Sequence, residues 1–343
     1  MTDRSFTGPL STLENRLYSR RRFLTLTGAT GLAAFLAACT SKSKSGTFNG
    51  GSGAGGPQNL NVAVASYDLI SGRDNRFIAG LLTLDNDFVS FGSAQMRFSY
   101  LGTGKEGDKP VFFKEFPATF LPIYGEGPAT PPTTPAAGPA SQGRGVYAVD
   151  GINFDKAGYW QVDVAVKTDN KGTLEGTSAF GVNTHYVFPA PGDKAIASES
   201  LTVNSTGVPP AAIDSRATSI TAIPDASLHQ LTIADALKQN KPLLIVFSTP
   251  VFCVSQFCGP VTDMVADVQK QFGDKANFIH IEIWKDFQAQ QLNDTAKDWL
   301  FRNGSLNEPW VYLVGADGTI LNRWDNVATE GEIVPALQKA IGA

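Results

Sequence analysis

Two cysteines with four residues between them, Cys253 and Cys258, are the side chains of this sequence best suited to covalent chemistry. They lie within residues 243–272, LLIVFSTPVFCVSQFCGPVTDMVADVQKQF. Leu243-Leu244-Ile245-Val246-Phe247 is a continuous apolar run, the pattern of a strand buried on both faces. Val261, Met264, Val265, Val268 and Phe272 then recur at the spacing of an amphipathic helix, which Gly273 stops. A thiol at the start of that helix meets unpaired N–H groups and the positive end of the macrodipole, which favour thiolate. Cys258 is therefore expected to titrate low, and Cys253, in the apolar turn Val251-Phe252, to stay nearer an ordinary thiol. An irregular turn of four residues can bring two Cα atoms to the ~5.5 Å of a disulfide, and Pro250 keeps helix away from Cys253. A disulfide that exchanges is the expectation.

Few other residues offer to serve the pair. Phe278-Ile279-His280-Ile281-Glu282-Ile283 is another apolar strand, whose Glu282 is either a proton acceptor or a charge on a strand edge. The edge reading is the simpler. His280 shares its face and reads as a core or edge histidine. With three histidines and three methionines in the whole chain, no metal ligand set is assigned and no cofactor is expected.

The order strand, cysteine turn, helix resembles the thioredoxin superfamily, here over roughly residues 228–343. Phe257-Cys258-Gly259-Pro260-Val261 is similar to that family's Trp-Cys-Gly-Pro-Cys, with Val261 in place of the second cysteine and Cys253 as an upstream substitute. Counted from the strand instead, Cys253 falls at the family's nucleophile. The order of attack stays open between these alignments. The resemblance also implies that Pro309, before the strand Trp310–Val314, is the family's cis-proline beside the cysteines. The family's buried acid on the central strand is missing from Leu243–Phe247. Sco-type copper chaperones share this fold, but their ligands are a C-x3-C pair and a histidine in a later loop. Here the spacing is C-x4-C, and His185, His229 and His280 all come too early.

The N-terminus reads as an address. Ser19-Arg20-Arg21-Arg22-Phe23-Leu24 resembles a twin-arginine export motif, an apolar run to Ala38 follows, and Leu36-Ala37-Ala38-Cys39 looks like a lipobox. Residues 1–38 are read as a signal peptide, with Cys39 lipidated and membrane-anchored on the outer face of the cytoplasmic membrane. Residues 39–58, rich in Ser, Gly and Lys, are a flexible tether. Export would place the cysteines where disulfides persist. Residues 1–38 hold five arginines against Asp3 and Glu14, so of the formal charge of −4 they carry +3 and the remainder carries −7. No basic block points to a nucleic-acid partner, and none is expected.

Between Leu60 and Phe188 the apolar period is two. Ala94, Met96, Phe98 and Tyr100 alternate with polar residues, as do Trp160, Val162, Val164 and Val166. Other strand candidates are Leu60–Ala65, Phe77–Leu84, Val111–Lys114, Val146–Val149 and Thr177–Val182. Seven short strands predict an antiparallel β-sandwich of immunoglobulin-like type over residues 59–188, with Trp160 as a core plug. The entry Phe154-Asp155-Lys156-Ala157-Gly158-Tyr159-Trp160 resembles that of exported bacterial immunoglobulin-like domains. Proline-rich Gly127–Gly145 is expected to be a long exposed loop, and residues 189–227 a connector lying along its neighbours, with Leu201 and Ile220 tucked in. From 228 the order helix, strand, helix, strand, helix, strand, strand, helix gives the second, α/β domain.

Two functions follow as expectations. One is extracytoplasmic thiol–disulfide exchange through Cys253 and Cys258 with a protein dithiol or disulfide as partner. The other is a lipid-anchored binding or scaffold protein in which the same disulfide is a staple. A Sco-like copper chaperone is a further alternative to these two.

Overall fold

A computed structural model describes residues 58–104, 109–253 and 255–342. The expected signal peptide, Cys39 and the expected tether through residue 57 lie outside them. The described chain is mostly antiparallel β-sheet with few helices, and none of those helices is long and apolar enough to cross a membrane.

The alternating segments form β1 (Leu60–Val64), β2 (Asp74–Thr83), β3 (Phe88–Ser90), β4 (Ser93–Gly102), β5 (Val111–Pro122), β6 (Ala136–Gly138), β7 (Gly145–Asn153), β8 (Gly158–Thr168) and β9 (Gly172–Val182). Two separate sheets were expected. These nine strands instead form one sheet, in the order β6-β3-β2-β7-β5-β4-β8-β9 with β1 on β2. The reason is β5, which at twelve residues outruns its expected length. It pairs with β4 along most of its course and with β7 through Thr119–Pro122, so one strand serves both halves. The sheet curls until Asn59, just before β1, donates its N–H to the Glu175 carbonyl on β9 at 3.1 Å. Gly176 permits that approach, because the Leu60 carbonyl occupies the place of a Cβ. Inside, Phe77, Phe98, Phe154, Trp160 and Phe180 pack edge to face or tilted. Trp160 is fully buried, as its alternation required. Gly158 enters that strand at φ 134°, where a Cβ would lie 2.6 Å from the Gly102 carbonyl.

The expected loop Gly127–Gly145 is not all loop. Its alanines 136 and 137 form β6, which pairs with β3 at the sheet's margin. Pro135 and Pro139 flank it without costing a ladder bond that a central strand would need.

The second part holds α1 (Ile233–Leu237), β10 (Leu243–Ser248), α2 (Cys258–Phe272), β11 (Asn277–Glu282), β12 (Trp284–Asp286), β13 (Gln291–Leu292), α3 (Asp294–Leu300), β14 (Phe301–Arg302), β15 (Ser305–Leu306), β16 (Trp310–Val314), β17 (Ile320–Asp325) and α4 (Glu330–Ala340). The principal sheet runs β11-β10-β16-β17, with β10 parallel to β11 and antiparallel to β16. Every residue of β10 is buried, because side chains alternate between two cores. Leu243, Ile245 and Phe247 join Trp299 and Trp310 on one face, while Leu244 and Val246 join α2 and α4 on the other. Thr232 caps α1 by accepting from the Asp235 N–H, and Thr329 and Glu332 close a capping box on α4. Helix α1 stops at Leu237.

The connector carries 3-10 turns at Pro210–Ala212, Ile220–Ala222 and Ala226–His229. Ile220 is 44% exposed, so it does not tether this segment. Ala212, Ile213 and Asp214 do, at 0–1% exposure.

Candidate active site

Strand β10 ends at Ser248 and releases the chain into the cysteine loop. Three hydrogen bonds shape that loop. The Cys253 N–H reaches the Thr249 carbonyl at 3.1 Å, the Val251 N–H reaches Ser215 Oγ at 3.2 Å, and the Phe257 N–H reaches Ser255 Oγ at 3.5 Å. Gln256 takes φ 61°, a reversal that lets the chain turn into α2 at Cys258. Cys253 and Cys258 are joined as a disulfide, with Cα atoms 6.0 Å apart. Thr262, one turn into α2, fixes the helix start by donating to the Cys258 carbonyl at 2.7 Å.

Cys258 opens the helix as its sequence position implied, yet its side chain is fully buried. Cys253 is half-buried, with Ser255 Oγ 3.2 Å from its sulfur, and its neighbour Val251 is 53% exposed. Sequence reasoning favoured Cys258 as the more reactive thiol. The structure makes Cys253 the more accessible of the two, because Cys258 is fully buried.

Pro309 stands where the resemblance put it, one residue before β16, and the Glu308–Pro309 bond is cis. The residue that sequence reasoning missed is Glu308. One of its carboxylate oxygens and the two cysteine sulfurs lie within 4.8 Å of one another. Its Oε2 is buried without a hydrogen bond. Burial first, and the neighbouring Glu282 carboxyl second, raise its pKa to about 8. No local signal marks it, since an acid before a proline reads as a loop residue.

Glu282 also departs from expectation. It lies on the outer strand β11 but is 1% exposed, because the connector covers that edge. Its carboxylate accepts from the N–H groups of Ser215, Ile283 and Trp284 at 2.8, 3.0 and 3.3 Å, and burial raises its pKa. It is an anchor for the connector and lifts Glu308 electrostatically; it is not an edge charge.

The large sheet borders the site. Arg144, paired with Glu126, donates to Gln256 Oε1 at 2.5 Å, and the Tyr124 hydroxyl donates to Asp267 on α2 at 2.5 Å. On the other flank Phe252 stacks on Phe287 with ring centroids 4.1 Å apart. Among the described residues no histidine joins the two cysteines. His185 is exposed, and His229 and His280 gather around Asp214.

No family model matches this chain, and no curated protein matches it. Among solved structures, a thiol:disulfide interchange protein of the thioredoxin family from Chlorobium tepidum TLS aligns at 15% identity. The alignment covers 45% of this chain and 97% of that one, with a TM-score of 0.26. A beta-glucosidase from Kluyveromyces marxianus aligns at 12% identity over 37% of this chain and 14% of its own, with a TM-score of 0.18. At those scores neither likeness carries an argument, and the site's chemistry rests on its own geometry.

Proposed function

We propose that this protein exchanges thiols for disulfides through Cys253 and Cys258, on a thioredoxin-like domain that follows the nine-stranded sheet. The observation that carries the reading is the pairing of one accessible and one buried sulfur beside the Glu308 carboxyl. In the reducing direction the Cys253 thiolate attacks one sulfur of a partner disulfide. That S–S bond breaks, and the departing sulfur leaves as thiolate and takes up a proton. Cys258 gives its proton to ionised Glu308 and attacks Cys253 Sγ, which frees the second partner thiol and restores the Cys253–Cys258 bond. The Glu308 carboxyl, raised by burial to about 8, is placed to take a proton from the neighbouring thiol and give it back. Electrons enter from a second dithiol protein. The strand order β11-β10-β16-β17, the cis-proline and the helix that starts at Cys258 support the thioredoxin-like assignment.

The deciding measurement is equilibration of the full chain with glutathione redox buffers. A potential well above about −300 mV supports exchange, and one below it makes the bond a staple and the protein a scaffold. Lipid anchoring at Cys39 belongs to the same proposal. A single acyl chain binds membranes only marginally, so a two-chain anchor is expected. Cys39→Ala should move the protein from the membrane to the soluble fraction; retention in the membrane would remove the anchor from the reading.

A further inference from the structure

A second cluster of reactive groups lies away from the disulfide. Asp214 comes from the connector, His229 from the end of its last 3-10 turn, and His280 from the middle of β11. All three are buried, at 0%, 1% and 1% exposure. Asp214 Oδ2 is 3.5 Å from His229 Nε2 and 3.5 Å from His280 Nδ1, and one ligand atom from each residue lies within 4.8 Å of the others.

Hydrogen-bond logic leaves this cluster short of a cation. His280 Nε2 lies 3.2 Å from the Ser248 carbonyl, which can only accept, so Nε2 carries the proton. His280 Nδ1 then points at the Asp214 carboxylate, 3.5 Å away. Neither His280 Nδ1 nor either nitrogen of His229 has a hydrogen bond, although all are buried. Lone pairs facing a carboxylate in a dry pocket repel unless a positive charge sits between them. The surrounding charge points the same way, since Asp214, Asp225 and Asp263 share the single guanidinium of Arg216. The spacing suits a metal better than a proton. At 3.5 Å these contacts are long for hydrogen bonds, whereas metal bonds of ~2.0–2.1 Å in a tetrahedron put ligand atoms ~3.3–3.4 Å apart. Supporting contacts are in place too. Arg216 Nε and Nη2 donate to Asp214 Oδ1 and Oδ2 at 3.0 and 2.8 Å, and the Ser248 carbonyl orients His280.

We propose that Asp214, His229 and His280 bind a divalent cation of the zinc class, through one carboxylate oxygen and two imidazole nitrogens. Such an ion ties the connector to β11. It also stiffens the cysteine loop, because Ser248 ends β10 and Ser215, next to Asp214, holds the Val251 N–H. The site stands whether or not the disulfide exchanges.

The test uses the full chain with its disulfide closed, so that thiolates do not compete, and Co2+ as the probe. One equivalent of Co2+ should give the strong visible bands of four-coordinate nitrogen and oxygen ligation, without a thiolate charge-transfer band, and Zn2+ should displace it. Cys253→Ser/Cys258→Ser should bind equally. His229→Gln and His280→Gln should each lose affinity by roughly 100-fold or more. Should those variants misfold, thermal unfolding of the unaltered protein decides. A melting temperature higher in Zn2+ than in EDTA, rising with Zn2+ concentration, supports the site. No uptake by the unaltered protein, or unchanged uptake by folded histidine variants, overturns it. Two imidazolium rings at neutral pH in NMR, with no Zn2+ effect, would also overturn it and make the cluster a proton-held ion network.

Discussion

Burial separates two thiols that the sequence leaves open between two orders of attack. Helix position favours thiolate at Cys258, but reactivity needs access as well, and Cys258 has none. After reduction, a small alkylating agent should therefore label Cys253 first, with Cys258 following only as the loop opens. Mass spectrometry of partly alkylated protein checks this, and equal labelling would mean the loop does not protect Cys258. Glu308 gives a second prediction. Its carboxyl goes from an ordinary 4.5 to about 8 on folding, so between those values the native state holds a proton the unfolded chain has lost. Stability must then fall as pH rises from about 4.5 to about 8 and stay reduced above it. Glu308→Gln, which removes that ionisation, should gain at least ~1 kcal/mol over the unaltered protein at pH 9 and almost nothing at pH 4. Urea unfolding at the two pH values measures the difference.

At the level of single elements, local signals and tertiary demands meet in different proportions. Helix α4 is locally specified: Thr329 and Glu332 satisfy each other's backbone donors, and Ile333 and Leu337 face the core. Thr329→Ala should cost about 1 kcal/mol, read as a lower urea midpoint at unchanged slope. Strand β5 is the opposite case. The expected strand stops at Lys114, and the continuation to Pro122, which carries the alternating Phe116, Ala118 and Phe120, pairs with both β4 and β7. Strand β6 likewise exists because β3 offers it an edge. Ala136-Ala137-Gly138 has no strand propensity that would announce it.

Across the whole molecule, the two parts share more polar contacts than a proline-rich connector suggests. Arg323 on β17 pairs with Asp68 at 2.9 Å, with side chains 8% and 1% exposed, and also donates to the Phe188 and Pro189 carbonyls. Arg76 on β2 meets Glu332 at 2.6 Å and Asp325 at 3.6 Å. Breaking a buried pair from one side leaves an uncompensated charge, so Asp68→Ala should destabilise the full chain by about 3–5 kcal/mol. Thermal and urea unfolding would both register it. Residues 225–343 carry every strand of the four-stranded sheet, and on sequence grounds they are expected to fold alone. Yet Phe188, Val187 and Tyr67 pack into its core, and Asp214 and Ser215 serve His229, His280 and Glu282. A fragment 187–343 should therefore unfold cooperatively, while 225–343 should melt lower and more broadly. Equal melting of the two would show that the connector adds nothing.

The division between what was legible and what was not follows the range of the forces involved. Apolar runs and amphipathic period act over a few positions, so β10 and α2 could be placed from the sequence. The spacing of Cys253 and Cys258 likewise sufficed to foresee a disulfide, because its closure depends on one turn. Accessibility, pKa and ligand geometry depend on groups far apart in the chain. Glu308 comes beside the cysteine pair only when β16 is laid beside β10. Glu282 turns from an edge charge into a buried anchor only when the connector crosses β11. His229 and His280, dismissed singly, become a candidate metal site once Asp214 is brought between them. Desolvation and convergence are properties of the packed chain, and no window of sequence contains them.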